Sequence, residues 1–232
     1  MHRILAALGI LVLLLIAGCG LDDYEKRMKV ERERLEDYDL QAKYLGDPID
    51  YSQSIKVASK QEAKQMGKKD DGKATEITQT IRAYLRPPKD IASKSSRKEG
   101  SVLQAYDPVG TVNMNAPFQG FYLGVGFNQK PADFRNAALK PFGLSASTSL
   151  KDATVQPAGQ PAKRFGAVQT EAKAPMGIVT LYIYVYEEGP YQVALIYKVL
   201  QSKASTEVDR AIDYSLRSVE VGDAAVRAKL RR

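Results

Sequence analysis

The feature that most constrains the fold is a pair of Tyr-, Val- and Ile-rich runs separated by a short turn. The runs are Thr180–Tyr186 and Tyr191–Leu200, with Glu-Glu-Gly-Pro between them. β-branched and aromatic residues on both sides of a Gly-Pro turn are typical of a β-hairpin. Tyrosines alternate with aliphatic residues in the first run, so they share one face of the strand. The hairpin therefore predicts a sheet with one aromatic and one aliphatic face.

Other segments supply further strands and helices for the same domain. The expected strands are Ile77–Leu85, Val102–Tyr106, Phe121–Phe127 and Arg164–Gln169. A helix is predicted over Ala132–Leu139, closed by Pro141 and Gly143. A second helix is expected after the cap residues Ser205 and Thr206, with Val208, Ala211, Ile212, Ser215 and Leu216 on one face. This order predicts an α+β domain over residues 77–225, in which an antiparallel β-sheet is flanked by helices.

Three glycines, Gly120, Gly124 and Gly126, lie in or beside the strand pattern at 121–127. They lack the Lys-Ser/Thr that follows a phosphate-binding loop, and they do not open a helix. We interpret them as positions of close backbone approach or of a β-bulge.

The N-terminus resembles a bacterial lipoprotein signal. An apolar run, Ile4–Ile16, follows Arg3 and ends in Ala17-Gly18-Cys19. This resemblance to a lipobox implies a signal peptide over residues 1–18, cleavage after Gly18 and lipidation of Cys19. A permanent transmembrane anchor is the alternative, but the run is shorter than the ~20 residues that usually span a bilayer.

Cleavage at Gly18 would remove His2, the only histidine, while acylation would occupy Cys19, the only cysteine. The mature chain would then have no Ser–His or Cys–His pair, no His-ligated zinc and no internal disulfide. We therefore expect a protein that is not an enzyme and holds no cofactor and no metal.

Residues 19–46 are predicted to form an amphipathic helical stem, which Gly46-Asp47-Pro48 would end. Its apolar positions follow steps of three and four residues: Leu21, Tyr24, Met28, Leu35, Tyr38, Ala42 and Leu45. Glu31 interrupts this series. Such spacing allows weak self-association through residues 21–45 as a short coiled coil. The alternative is that the stem packs on its own domain or on a partner.

Polar segments are expected to connect and follow these elements. Residues 47–76 are interpreted as a basic linker, residues 93–100 and 151–163 as loops, and residues 226–232 as a basic tail. The formal net charge is +7, and most of the excess lies within residues 56–100. A charged linker could lie on anionic headgroups or simply be solvated. Nucleic acid is excluded as a partner if the protein lies outside the cytoplasm.

Three patterns in the sequence resemble those of enzyme active sites. Ser95 and Lys98 match S-x-x-K, but in a polar segment without the other motifs of that chemistry. The adjacent Glu187 and Glu188 point in different directions in a turn, whereas glycoside hydrolysis needs facing carboxyls. Asp209 and Asp213 share a helix face, yet they need further ligands to hold a divalent ion.

The candidate contact face is formed by five tyrosines of the hairpin. They are Tyr182, Tyr184, Tyr186, Tyr191 and Tyr197. An exposed aromatic face would suit a protein partner or a sugar ring. The alternative is that both faces of the sheet are covered and the tyrosines are structural.

The hairpin and the helix after it resemble the Mog1/PsbP/DcrB-like family. The resemblance is carried by residues 181–186, 191–197 and 212–219, and with residues 118–142 it extends over 80–225. It implies an antiparallel sheet between helices and a role in partner binding or assembly. The family shares no catalytic residues that could be transferred to this chain.

The sequence therefore predicts a lipid-anchored cell-envelope protein that binds an envelope protein partner. Gly20 follows the cysteine where Asp resembles an inner-membrane retention signal, so the expected location is the outer membrane, facing the periplasm. A carbohydrate or small-ligand module on the tyrosine face is the alternative. A hydrolase built on carboxylates is the third hypothesis.

Overall fold

The predicted hairpin lies at the centre of a seven-stranded antiparallel sheet in the computed structural model of the chain. The structure describes residues 2–59, 75–110, 116–175 and 177–230, and only the backbone of residues 2–20, 56–59 and 75–77. The strands are β1 Ile49–Ser59, β2 Thr75–Leu85, β3 Ile91–Glu99, β4 Leu103–Pro108, β5 Phe118–Phe127, β6 Lys151–Val155, β7 Lys163–Ala174, β8 Gly177–Glu188, β9 Tyr191–Leu200 and β10 Glu220–Val221. The helices are α1 His2–Tyr44, α2 Pro131–Leu139, α3 Thr206–Arg217 and α4 Asp223–Leu230.

The large sheet has the strand order β3-β4-β5-β9-β8-β7-β6, and a small sheet has the order β1-β2-β10. Glu188 of β8 pairs with Tyr191 of β9, so the hairpin turn is Gly189-Pro190. Gly189 has a φ of 55°, which a glycine adopts without a steric penalty. The hairpin and the antiparallel α+β architecture are thus confirmed.

The large sheet has two buried faces. Its tyrosine face carries Tyr184 and Tyr197, and packs in one apolar cluster with residues of α3, β1, β2 and β10. Its aliphatic face carries Ile183 and Ile196, and packs against Phe134 and other residues of α2. The period-two alternation of β8 and β9 therefore places two different cores on opposite sides of one sheet.

Both predicted helices of the domain are present. Pro131 is the first residue of α2, which continues into a 3₁₀ turn, Lys140–Phe142, and ends at Gly143 with a φ of 74°. In α3 the Ser205 Oγ accepts a hydrogen bond from the Val208 backbone N–H at 3.4 Å. This caps the first turn, as the sequence predicts.

Four polar segments differ from the expectation. The predicted linker over 47–76 was wrong for residues 49–59, which form β1, and for residues 75 and 76, which begin β2. Residues 60–74 lie outside the described residues. The predicted loops were wrong where β3 and β6 form, and the tail was wrong because α4 extends to Leu230. The strands β1, β3 and β6 share a cause: each lies at the edge of a sheet, where one side faces water and the composition stays polar.

The stem is helical, as predicted, and its last turns pack on the domain. Tyr44 stacks on Tyr214 of α3 with ring centroids 5.7 Å apart and an interplanar angle of 9°. The Arg217 guanidinium donates to an Asp37 carboxylate oxygen at 3.4 Å, and the Gly46 N–H donates to the Pro87 carbonyl at 2.8 Å. The compact unit therefore starts before residue 77, since it includes the end of α1 and all of β1.

We predict that Gly126→Ala destabilises the domain by about 1–3 kcal/mol, because the added methyl group overpacks the core. A Cβ at this position would lie 2.6 Å from the Phe134 Cδ2 atom. Chemical denaturation measures the change. The double variant with Phe134→Leu should lose less than the sum of the two single variants, and strictly additive losses would contradict the contact.

Candidate functional site

The five tyrosines of the predicted contact face are mostly part of the core. Tyr197 is fully buried and Tyr186 is 7% exposed. Tyr182, Tyr184 and Tyr191 are partly buried and pack against the same apolar cluster. The prediction of an open contact face was therefore wrong, because α3 and the small sheet cover this side of the hairpin.

The tyrosine hydroxyls have partners inside the fold. The Tyr197 hydroxyl donates to Ser215 Oγ of α3 at 2.9 Å, and the Tyr186 hydroxyl donates to a Glu188 carboxylate oxygen at 2.7 Å. The rings of Tyr184 and Tyr197 meet edge to face at 6.1 Å. The Tyr197–Ser215 hydrogen bond attaches α3 to the sheet, and both hydrogen bonds satisfy polar atoms that burial would otherwise leave unpaired.

Burial also changes the ionisation of this face. It raises the pKa of Tyr184 to about 12, and it raises the pKa of Tyr197 further because that ring is fully enclosed. Burial, followed by the hydrogen bond to Glu188, raises the pKa of Tyr186. All three phenols are therefore protonated at neutral pH, which suits a structural role.

The aliphatic face is covered by α2 over only part of its length. Beyond the end of α2 lies a cavity of about 170 Å³. It is lined by Glu99, Tyr122, Pro141, Phe142, Ala172, Lys173, Val179, Leu181 and Lys198. Leu181 and Val179 are buried and form an apolar floor, while Glu99, Lys173 and Lys198 bring charge. An amphipathic site of this kind suits a ligand with both apolar and polar groups.

One charged residue of this cavity, Lys198, comes from the central strand of the sheet. It lies on the aliphatic face of the central strand β9, two residues after the fully buried Ile196, and is half-buried. Nearby, Tyr122 packs edge to face on Phe142 with ring centroids 5.1 Å apart, and burial raises the pKa of its phenol. On this face of β9 only Gln192 and Lys198 are polar. A half-buried lysine in a central strand is unusual, because burying an ammonium group is costly.

The cavity adjoins an exposed strand edge. β6 pairs only with Lys163–Ala167 of β7. Among the described strands, none pairs with residues 168–174 on the side opposite β8. Ala172 and Lys173 belong both to this edge and to the cavity lining. We call the cavity together with residues 168–174 the edge groove.

The other candidate residues are held by structural contacts. Arg135 donates to Glu187 at 2.8 Å and 3.1 Å. Arg217 forms an ion pair with Asp213 at 2.6 Å. Ser95 and Lys98 both lie in the edge strand β3. Within the part of the chain that the structure describes, no group of three His, Cys, Asp or Glu side chains is placed to hold a metal ion.

Two of the three glycines of β5 mark close approach, as predicted. A Cβ at Gly124 would lie 2.9 Å from a Leu103 methyl carbon, and one at Gly126 would meet Phe134. Gly124 thus leaves room for the Leu103 side chain of the neighbouring strand β4, and Gly126 leaves room for Phe134 of α2. Gly120 follows the register shift between β5 and β9.

Lys163 is a buried lysine that no pattern in the sequence predicts. Its ammonium group donates to the Arg217 carbonyl at 2.9 Å and to the Val219 carbonyl, and it forms an ion pair with Glu220 at 3.1 Å. Burial lowers the pKa of Lys163 in spite of the Glu220 charge. The lysine thus satisfies carbonyls at the C-terminal end of α3. No local pattern could reveal it, because its partners lie more than fifty residues away.

Comparisons with known proteins give little further information. No protein-family model matches the chain, and no curated protein matches it. It is similar to a protein from Bacteroides thetaiotaomicron VPI-5482, of which a crystal structure exists at 1.50 Å resolution, with 9% sequence identity and a TM-score of 0.39. The match covers 60% of this chain and 45% of that protein. In the region whose side chains are described, no helix is long and apolar enough to cross a membrane.

We predict that alkaline pH unfolds the protein through its buried tyrosines. An unfolded tyrosine ionises near pH 10, whereas the folded state holds Tyr184 protonated up to about pH 12. Its contribution to stability is therefore complete below pH 10 and is lost as the pH rises to about 12. Tyr184→Phe should make the fall of the unfolding free energy with pH shallower by up to about 1.4 kcal/mol per pH unit.

Denaturant titrations at a series of pH values, with tyrosinate absorbance as the probe, measure this slope. Tyr24→Phe is the matched control, since Tyr24 is 63% exposed on the stem. It should leave the slope unchanged. An equal effect of the two substitutions would contradict the assignment.

Proposed function

We propose that the chain is a lipid-anchored cell-envelope protein, without enzymatic activity, that binds an extended segment of a protein partner along the edge groove. The binding site is proposed because residues 168–174, with which no described strand pairs on the side opposite β8, lie beside an amphipathic cavity.

The anchor rests on the apolar run followed by Ala17-Gly18-Cys19. In a lipoprotein, two or three acyl chains are needed for a stable hold, because a single chain binds a membrane only marginally. Gly20 in place of Asp supports the outer membrane as the location. Processing after Gly18 would leave the mature chain to begin at Cys19, at the free end of the exposed stem.

Strand addition explains why the edge and the cavity adjoin. An extended peptide that pairs with residues 168–174 would form backbone hydrogen bonds with β7, and every second side chain would lie on the aliphatic side of the sheet. On that side an apolar side chain of the peptide would pack on the apolar floor of the cavity. Lys198 and Glu99 would select, by their charges, the polar side chains beside it in the peptide.

The resemblance to the Mog1/PsbP/DcrB-like family belongs to the same proposal. The antiparallel sheet, the late β8–β9 hairpin and the following α3 agree with that arrangement. A role in binding or assembly is what the resemblance implies. The carbohydrate alternative required an exposed tyrosine platform, whereas the structure covers Tyr186 and Tyr197, so the protein partner is the function that the geometry supports best.

The anchor is tested with two substitutions and an alkyne-labelled fatty acid. Cys19→Ser should abolish incorporation of the label and leave the protein unprocessed, because no thiol is present to accept the lipid. Gly20→Asp should retain the label but move the protein from the outer-membrane to the inner-membrane fraction. Labelled Cys19→Ser protein would overturn the anchor, and an unmoved Gly20→Asp protein would overturn the sorting assignment.

The edge groove is tested with a photo-crosslinking residue at position 172. We expect one defined adduct with an envelope protein. Lys198→Glu should reduce its yield, since the substitution reverses the charge inside the groove. Lys203→Glu is the matched control: this exposed lysine lies in the 3₁₀ turn Gln201–Lys203, outside the cavity, and should leave the yield unchanged.

The mode of binding has its own readout. The cross-linked segment, made as a peptide, should slow amide hydrogen exchange in residues 168–174, because strand addition engages backbone N–H groups. Unchanged exchange with an intact adduct would contradict strand addition. Equal loss of the adduct in the Lys198→Glu and Lys203→Glu variants would contradict binding of the partner in the edge groove.

A further inference from the structure

The stem carries an exposed apolar stripe that its own domain does not cover. The stripe consists of Leu21, Tyr24, Met28, Leu35 and Tyr38, which are 59%, 63%, 48%, 63% and 47% exposed. Single exposed apolar residues are ordinary on a protein surface. Five of them aligned along one side of a helix at steps of three, four, seven and three residues are the pattern of a helix that packs on another helix.

The stripe lies on a different side of α1 from the residues that contact the domain. The contact side carries Asp37, which pairs with Arg217, and Tyr44, which stacks on Tyr214. At 3.6 residues per turn, the centre of the stripe lies about 165° around the helix from this side. The stem therefore cannot bury its stripe against its own domain while the Tyr44 and Asp37 contacts are in place.

We propose that two copies of the chain associate through this stripe as a short parallel coiled coil. In the seven-residue repeat, Leu21, Met28 and Leu35 occupy the first core position, and Tyr24, Glu31 and Tyr38 occupy the second. The contact covers residues 21–38, or about 27 Å of helix at about 1.5 Å per residue.

The charges beside the stripe fit a second copy of the same helix. Glu31 is the only charged residue at a core position. In a parallel pair it lies next to Arg32 of the other copy, while Arg27 lies one turn before it on its own helix. Glu31 also forms an ion pair with Arg34 of its own helix at 3.6 Å, so basic residues of both copies surround each acidic residue. One turn further on, Arg34 of one helix faces Asp39 of the other across the contact.

The parallel orientation rests on the proposed anchor at Cys19. Two copies held in one membrane at the same end of the helix can align only side by side in the same direction. Confinement also raises their effective concentration, which matters because so short a coiled coil is marginal in dilute solution.

Disulfide crosslinking tests the inference in the full chain, in membranes. Cys19 is the only native cysteine, so one introduced cysteine reports one contact. Leu35→Cys should form a covalent dimer on mild oxidation, because core positions of a parallel pair approach within the distance of a disulfide, about 6 Å between Cα atoms. Val30→Cys is the matched control. Val30 is 46% exposed on the same helix but lies off the stripe, so the Val30→Cys protein should stay monomeric.

Charge reversal tests the pairing. Glu31→Arg should abolish the Leu35→Cys dimer, and adding Arg32→Glu should restore it, because the second change again places opposite charges side by side. Equal crosslinking at positions 30 and 35, no dimer at either position, or a crosslink to a different protein would each overturn the inference. The same cysteine variants with Cys19→Ser, purified in detergent and crosslinked at raised concentration, distinguish a failure of the dimer from a failure of the anchor.

Discussion

The alternation of tyrosine and aliphatic residues along β8 is the constraint on which the rest of the structure depends. Because both sets of side chains are large, a sheet with this strand near its centre has no side that tolerates full exposure to water. The chain covers the tyrosine side with α3 and a second sheet, and the aliphatic side with α2. Because α2 covers only part of the aliphatic side, the edge groove stays open there.

The covered tyrosine side also explains which residues are structural. A phenol buried without a partner would destabilise the fold, so Tyr197 requires Ser215, and Tyr186 requires Glu188. These residues appear functional in sequence because aromatic faces often bind ligands. In this protein the hydroxyl of Tyr197 joins α3 to the sheet through Ser215. The accessible polar group of the sheet lies on the aliphatic side, at Lys198.

Sequence patterns predict the elements that carry their own signal. The hairpin, α2 and α3 follow from turn residues, caps and periodic apolar positions within a single segment. The alternation within the hairpin also predicts that Tyr197 lies on the tyrosine face. The strands β1, β3 and β6 carry no such signal, since an edge strand acquires its structure from its neighbour. The edge groove could not be predicted either. It depends on β6 beginning at Lys151, opposite Ala167, so that no described strand pairs with residues 168–174 on that side of β7.

The stem links the two proposals through its length. From Cys19 to Tyr44 the helix rises about 39 Å, and the Tyr44 and Asp37 contacts fix its end on α3. An anchored copy would therefore hold its sheet well clear of the lipid headgroups. Since α1 meets the domain on one side and carries its stripe on another, two stems can pair without displacing α3. Pairing would then present two edge grooves at one height above the membrane, an arrangement that favours a partner with repeated extended segments.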